Sequence, residues 1–275
     1  MVKRIIAVVM VLVLLGIPVN ANAETNLTKD QIYSNVKKNL IAHKSEFTIN
    51  MTVKTMNQLR NGNDFMYKVF ALDDKTTSKD FDYIKYNVDS WRESWKWSNT
   101  TGKASLKMTV KYATTAEQEK EVDKKIASIL KSLNLKGKTD YQKVKAIHNY
   151  IINNTSYDKT LKKHSAYNVL VNKSAVCEGY SLAAYRLFQD AGIQNRIITG
   201  TADGGPHSWN IVKVNGKWYN IDLTWDDPIT SSGKSVLRYD YFLKNSKEFK
   251  KHTRDAEYNT ATFKKNYPIA EKSWK

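Results

Sequence analysis

The chain has 275 residues, of which 41% are hydrophobic, and its formal net charge is +17. This apolar content supports a packed core, so it excludes a largely disordered protein, and the length suits one large domain or two small ones. The cations are scattered singly and form no recognised nucleic-acid motif, so we expect no nucleic-acid partner. Two interpretations of the charge remain: binding to anionic wall polymers, or a lysine-rich surface that serves solubility.

Residues 1–23 have the three parts of a secretory signal peptide. Lys3 and Arg4 precede an apolar run over 5–15, and Ala21-Asn22-Ala23 supplies the small residues of a cleavage site. The apolar run is shorter than the roughly 20 residues that cross a bilayer. The sequence therefore predicts a secreted, extracellular protein that does not span the membrane after cleavage and that could associate with the cell wall.

Residues 24–137 are predicted to form a smaller N-terminal α/β region whose role the sequence does not reveal. Periodicity predicts helices at both ends of this region and strands between them, over 27–45, 46–56, 81–97, 104–112 and 114–133. Its tryptophans could form a carbohydrate-stacking platform, but their alternation with polar residues favours ordinary sheet packing. A break at 135–138 sets the predicted boundary.

Residues 138–275 are predicted to form the second domain, which carries the candidate site. Helices are expected over 139–153 and from about Cys177 to Gly192, the second with Ser174 as its N-cap. Strands are expected over 196–201, 207–214 and 217–225, and the last two are joined by an Asn215-Gly216 hairpin turn.

The predicted hairpin makes a geometric statement about two side chains. A two-residue turn pairs Val214 with Lys217, which would place Trp209 opposite Asp222. Because residues directly opposite share a face of the sheet, as do residues two apart on one strand, His207 and Asp222 would be diagonal neighbours on one face. The spacing is therefore compatible with a His–Asp pair.

Cys177 is the only cysteine of the chain. At the start of a helix, free N–H groups and the helix dipole favour its thiolate, and an unpaired cysteine outside the cell is either reactive or forms an intermolecular bridge. A buried, inert thiol is the alternative. A thiol near a carboxylate-oriented histidine is what acyl transfer requires: Cys177 as nucleophile, His207 as base and acid, and Asp222 to hold the imidazole. Tyr180 and Trp209 would line the site.

Three motifs occur in order along the chain: 174–181 (SAVCEGYS), 207–210 (HSWN) and 218–228 (WYNIDLTWDDP). Together they resemble the bacterial branch of the transglutaminase-like superfamily, and the resemblance extends over about 138–268. It implies an α+β fold with a papain-like, transglutaminase-like core, in which a cysteine-bearing helix packs on an antiparallel sheet bearing histidine and aspartate.

The resemblance implies catalytic roles for Cys177, His207 and Asp222, and at most site-lining roles for His164 and Trp225. Members of this superfamily include protein crosslinkers, cysteine proteases, deamidases and deglycosylases, as well as proteins that have lost catalysis. No acidic loop indicates calcium sites, so we expect no metal and no cofactor. We therefore predict thiol acyltransferase, cysteine peptidase or amidase activity on protein or cell-wall peptide. The alternatives are a non-catalytic wall-associated adaptor and a redox role for the single thiol.

Overall fold

The structure is a computed structural model that describes residues 7–8, 26–61, 64–228 and 236–275. It divides into two compact units, Val2–Ala116 and Glu117–Lys275. The predicted signal segment lies outside the described residues, apart from the two-residue strand β1 (Ala7–Val8). Among the described residues, no helix is both long and apolar enough to cross a membrane.

The N-terminal unit is a four-stranded sheet, in the order β1-β3-β4-β2, with short helices packed on it. Its elements after β1 are α1 (Lys29–Ile41), β2 (Glu46–Thr52), α2 (Val53–Arg60), α3 (Phe65–Ala71), α4 (Asp82–Asn87), β3 (Val88–Ser98) and β4 (Lys103–Tyr112). Trp95 is buried in this core and Trp91 and Trp97 are partly buried against it, as sheet packing predicts.

Two predicted strands of this unit are shorter than expected because helices replace their ends. The segment predicted as a strand over 46–56 turns into α2 after Thr52, whose side chain accepts a hydrogen bond from the N–H of Thr55 and caps the helix. The segment predicted over 81–97 begins with α4, and β3 starts only at Val88. Alternation of apolar residues did not reveal these short helices.

The C-terminal unit has helices packed on a second four-stranded sheet, in the order β10-β7-β8-β9. Its elements are α5 (Ala116–Leu133), α6 (Asp140–Asn153), β5 (Ser156–Tyr157), α7 (Ala166–Leu170), β6 (Ser174–Ala175), α8 (Cys177–Asp190), β7 (Asn195–Ala202), β8 (Gly205–Val214), β9 (Lys217–Ile221), β10 (His252–Arg254), a 3-10 turn (Ala256–Tyr258) and α9 (Ala261–Asn266). The strands of this sheet are antiparallel, and α8 packs against β7 and β8. The predicted α+β fold with a papain-like core is confirmed.

Helix α5 groups with the C-terminal unit, so the two units divide after Ala116, whereas the sequence places the boundary at 137. Ion pairs of a buried arginine join α5 to α8 within this unit. Arg186 lies 2.8 Å from the Asp123 carboxylate and 3.6 Å from that of Glu119, both on α5. Because removing one partner would leave a buried charge unpaired, these ion pairs hold α5 against α8.

The hairpin of β8 and β9 has the predicted register, with Val214 opposite Lys217. Asn215 and Gly216 both have positive φ, 47° and 80°, as a tight two-residue turn requires. The strand β9 nevertheless ends at Ile221 instead of continuing to 225, so the predicted pair Trp209–Asp222 does not form as part of the ladder. Beyond the strand, the N–H of Asp222 donates to the Tyr241 carbonyl, on the side of the chain that faces away from β8.

Candidate active site

Cys177 is the first residue of α8 and is partly exposed. The sequence predicted Ser174 as the N-cap of this helix, and this prediction is wrong. Ser174 lies in β6, and the N-cap is Val176, whose side chain makes no capping hydrogen bond. The first turn of α8 packs closely against neighbouring segments at Gly179, which has no side chain to keep them apart. A Cβ atom there would lie 2.6 Å from the Ala175 Cβ and 3.0 Å from the Ser165 carbonyl oxygen.

The surroundings of the Cys177 thiol favour its ionised form, the thiolate. Burial raises its pKa, but hydrogen bonds with His207 and Ser208, together with the charge of His207, outweigh burial and leave the pKa below its ordinary value. The backbone N–H of Cys177 belongs to the first helical turn, where N–H groups have no acceptor within the helix. This N–H can therefore stabilise the oxyanion that forms on a substrate carbonyl oxygen when the sulfur attacks the carbonyl carbon.

His207 lies on β8 and contacts both the thiol and a carboxylate. Its Nε2 atom lies 2.6 Å from the Oδ2 atom of Asp222, in a buried contact. Since Nε2 is bound to Asp222, Nδ1 is the ring nitrogen left to the hydrogen bond with Cys177. Burial opposes the protonation of His207, but the charge and hydrogen bond of Asp222, with a further contribution from Cys177, raise its pKa to about 10. These shifts favour a thiolate–imidazolium pair.

Asp222 is fully buried and accepts four hydrogen bonds. Its Oδ1 atom accepts from the backbone N–H groups of Thr224, at 2.9 Å, and Trp225, at 3.1 Å. Its Oδ2 atom contacts His207 and also, at 2.9 Å, the Nε2 atom of His252. Burial raises the pKa of Asp222, but the two histidines outweigh that effect and hold the pKa below its usual range.

His252 is a site residue that the sequence analysis missed. It lies 30 positions after Asp222, on a three-residue strand, and belongs to none of the motifs. Ser208 was also missed as a hydrogen-bond partner of the Cys177 thiol, although it directly follows His207 in the HSWN motif. The neighbouring positions of Ser208 and His207 were a signal for the serine, whereas no local pattern points to the second histidine.

His207, Asp222 and His252 also place three metal-ligating atoms within 4.8 Å of one another. The distances do not fit an ion among them. Ligands about 2.0–2.1 Å from a tetrahedral Zn²⁺ would be separated by roughly 3.3 Å, whereas the His207 and Asp222 atoms are 2.6 Å apart. The three side chains are joined directly by hydrogen bonds.

The remaining predicted site residues lie in three different surroundings. Tyr180 is buried, and its hydroxyl donates to the Asp227 carboxylate at 2.6 Å, so it ties α8 to the segment that follows Asp222. Trp209 and Trp225 have ring centroids 6.2 and 5.7 Å from that of His207. His164 contacts the residue that follows the nucleophile: its Nδ1 atom lies 3.3 Å from the carboxylate of Glu178.

The segment after Asp222 is held by a second buried His–Asp contact. The Nε2 atom of His148, on α6, lies 3.0 Å from the Oδ2 atom of Asp226. The other oxygen of Asp226 accepts the backbone N–H of Tyr241 at 2.8 Å. His148 therefore links α6 to the segment that follows the catalytic candidate Asp222.

Comparison with known proteins agrees with this geometry. The model of the transglutaminase-like superfamily matches residues 127–223, a range that contains Cys177, His207 and Asp222. Human kyphoscoliosis peptidase is 25% identical over 154 residues, which cover 48% of this chain and 23% of that protein. The mouse protein of the same name is 26% identical over 127 residues, covering 38% of this chain and 19% of the relative.

The chain thus matches about a fifth of the length of these curated relatives. Among solved structures, one described as a TGase is 21% identical, covers 79% of this chain and 56% of its own, and superposes with a TM-score of 0.38. Residues 127–223, which include the cysteine-bearing helix and most of its antiparallel sheet, are thus similar to the transglutaminase-like superfamily.

Proposed function

We propose that the protein is a cysteine-dependent acyltransferase or amide hydrolase that acts on protein or peptide substrates. The observation that carries the proposal is the arrangement of three side chains. The Cys177 thiol contacts His207, whose other ring nitrogen lies 2.6 Å from Asp222. A thiol, an imidazole and an orienting carboxylate in this order provide a nucleophile, a proton carrier and a group that fixes the tautomer.

The proposed reaction begins from the thiolate–imidazolium pair. The sulfur attacks the carbonyl carbon of an amide, and the oxyanion is stabilised by the N–H of Cys177. When the C–N bond breaks, the Nδ1 proton of His207 passes to the departing ammonia or amine, which leaves a thioester on Cys177. Water or a second amine then attacks the thioester and gives its proton to His207, which restores the starting pair.

The names of the relatives support chemistry at an amide bond, but they do not say which molecule accepts the acyl group. Kyphoscoliosis peptidase is named for peptide hydrolysis, and the family model is named for acyl transfer. Both reactions pass through the same thioester, so the triad-like arrangement fits either one. Whether water or a lysine amine takes the acyl group depends on how the bound substrate excludes water.

Mass spectrometry can test the proposal and identify the reaction. Cell-wall and secreted-protein fractions would be incubated with the wild-type protein, with Cys177→Ala and with Ser98→Ala, a control for substitution at an exposed site. A mass loss of about 17 Da from a joined glutamine and lysine indicates crosslinking, a gain of about 1 Da indicates deamidation, and new termini indicate proteolysis. Identical products from wild type and Cys177→Ala would contradict catalysis and favour the adaptor function.

We also propose that the protein is secreted, because residues 1–23 have the order of a signal peptide. Loss of Lys3 and Arg4 with this segment would lower the formal charge from +17 to +15, and a charge of this size would favour contact with anionic wall polymers. Expression of the full chain and of a chain lacking residues 2–23, followed by assay of the medium and wall fractions, tests this. Equal amounts of the two chains outside the cell would contradict the proposal.

A further inference from the structure

His252 lies on the same face of the sheet as His207. Strand β10 pairs with β7 so that His252 is opposite Ala202, and β8 pairs with the other edge of β7 so that His207 is opposite Gly200. Residues opposite each other, and residues two apart on β7, share one face. The small side chains of Gly200 and Ala202 therefore leave that face open to the two imidazole rings.

The close approach of β10 to β7 depends on a glycine. A Cβ atom at Gly200 would lie 1.9 Å from the carbonyl oxygen of Thr253, the residue after His252. Since any larger residue would push β10 away, Gly200 allows the strand to bring His252 to the site. The His252 side chain is 1% exposed there, so the ring is held by protein groups.

Both ring nitrogens of His252 face atoms that only accept hydrogen bonds. The Nε2 atom lies 2.9 Å from the Oδ2 atom of Asp222, and the Nδ1 atom lies 3.0 Å from the backbone carbonyl oxygen of Lys250. A carbonyl oxygen cannot donate, and the Asp222 carboxylate is held as an anion by its other donors. Satisfying both contacts requires an N–H on each nitrogen, which is the imidazolium form.

Aromatic rings surround His252 as a box suited to a cation. The ring centroids of Phe249 and Trp225 lie 4.0 and 4.5 Å from that of His252, and those of Trp209 and Tyr241 lie 5.0 and 5.4 Å away. The electron-rich faces of such rings attract a positive charge, most strongly where water is excluded. This box and the two acceptors favour the same charged state of the ring.

We propose that His252 is a positioning residue. It is an imidazolium, held in the aromatic box, that fixes the position of the Asp222 carboxylate and weakens the electrostatic attraction between this carboxylate and the proton of His207. The inference rests on the proposed function, because it deepens the role of the same site. With His252 charged, Asp222 is shared between two cations, so His207 can release its proton to the leaving amine more readily than it could beside an unshared carboxylate.

The titratable and charged groups around His252 belong to several elements. They are Asp222 and His207, in direct or near contact; Tyr241, in the box; Asp226, which accepts the backbone N–H of Tyr241; the Lys251–Asp203 ion pair at the adjoining turn; and Arg254, farther along β10. Two of the cations already have partners. Lys251 lies 3.2 Å from Asp203, and Arg254 donates to the side-chain oxygen of Asn220 at 2.8 Å. Among these groups, Asp222 is the carboxylate in contact with His252.

Nitrogen-15 NMR of histidine side chains tests the charge directly in the unmodified protein. The chain has five histidines, so each imidazole can be assigned by substituting it in turn. We expect both nitrogens of His252 to carry protons at pH 7 and to show the chemical shifts of an imidazolium. A neutral ring, with one protonated nitrogen, would overturn the proposal whether or not the protein proves to be an enzyme.

Two substitutions test the consequence for His207. His252→Gln can still donate to Asp222 but has no charge, so we expect the NMR titration of His207 to move upward by about one pH unit, because a cation with its ring centroid 5.5 Å away is lost. His252→Lys restores a cation and should move the midpoint back. His43→Gln, in the other unit, is the control and should leave it unchanged.

The positioning role of His252 and the proposed catalysis by Cys177 can fail independently of each other. An unchanged or lowered His207 midpoint in a folded His252→Gln protein would overturn the positioning role, even if Cys177 turns over substrate. If His252→Gln fails to fold, the NMR of the wild-type ring decides. Absence of turnover in the wild type would contradict the proposed function but would leave the charge of His252 open to the same measurement.

Discussion

The Oδ2 atom of Asp222 lies 2.6 Å from the Nε2 atom of His207. This contact assigns the two nitrogens of the ring to different partners: Nε2 to the carboxylate and Nδ1 to the thiol. It also forms without the ladder pairing that the sequence had indicated, because the chain turns after Ile221 and brings the carboxylate to the ring from outside the strand.

Asp222→Asn should impair the site more than it destabilises the fold. The amide is nearly the same size but has no charge, so the imidazolium of His207 loses its stabilising anion and the thiolate of Cys177 loses its partner. We expect turnover to fall by about 10²–10⁴-fold, as expected when the orienting carboxylate of such a site is neutralised. Alkylation of Cys177 at pH 7 should slow in parallel.

Asp240→Asn is the matched control for this change. It removes the same charge from an exposed carboxylate that lies 3.7 Å from Arg238 and outside the site. Its alkylation rate should equal that of the wild type, since exposed ion pairs contribute little. Equal rates for all three proteins would show that Asp222 does not control the thiol.

The pKa of His207 predicts a pH-dependent contribution to stability. Its folded-state value of about 10 lies above the ordinary value of about 6.5, so protonation stabilises the folded state. This contribution is fully present below about pH 6.5 and is lost as the pH rises through about 10. A Cys177→Ala background removes the part of this rise that comes from the thiol and keeps the larger part from Asp222, so the loss begins at a lower pH there; His207→Gln should still cost most at pH 6 and least near pH 10.

Urea unfolding at pH 6, 8 and 10 measures this difference in the free energy of unfolding. Asp222 has a lowered pKa, so its own contribution is present above about pH 4 and is lost only under more acidic conditions, outside this range. The three pH values thus report on His207. A cost of His207→Gln that stays constant or grows with pH would contradict the assigned protonation state.

Sequence patterns predicted the sheet of the C-terminal unit well because its signals are local. The Asn215-Gly216 turn fixes the register of β8 and β9, and the start of α8 lies at Cys177. The Ser174 cap was wrong because a serine before a helix is equally able to sit in a short strand. β6 pairs with β5 at Ser156, which takes Ser174 out of the capping position.

The second histidine of the site could not be predicted from sequence. Strand β10 has three residues, too few for any periodicity, and its place beside β7 depends on a tertiary contact at Gly200. The charge state of His252 depends in addition on the Lys250 carbonyl and on four aromatic rings from separate segments. Such an environment exists only in the folded chain, whereas the spacing of Cys177, His207 and Asp222 follows from neighbouring elements.

Gly179→Ala should displace the nucleophile. The added Cβ would lie 2.6 Å from the Cβ of Ala175, closer than carbon atoms approach, and 3.0 Å from the Ser165 carbonyl oxygen. The first turn of α8 must shift, so we expect a loss of about 1–3 kcal/mol in the free energy of unfolding and a slower alkylation of Cys177. Gly205→Ala is the control, because its Cβ would meet only the Ala202 carbonyl oxygen at 3.8 Å. Equal stabilities of the two variants would contradict the packing argument.

His148→Ala should loosen the segment that carries Asp222. The change removes the partner of the buried Asp226 carboxylate, which lies 3.0 Å from His148 Nε2. Burial raises the pKa of Asp226, and the contact with His148 opposes that rise, so without the histidine Asp226 should take up a proton more readily. We expect a loss of about 3–5 kcal/mol in the free energy of unfolding near pH 7. His164→Ala, a partly exposed histidine beside Glu178, should cost under about 1 kcal/mol. A similar cost for both variants would show that the His148–Asp226 contact does not hold this segment in place.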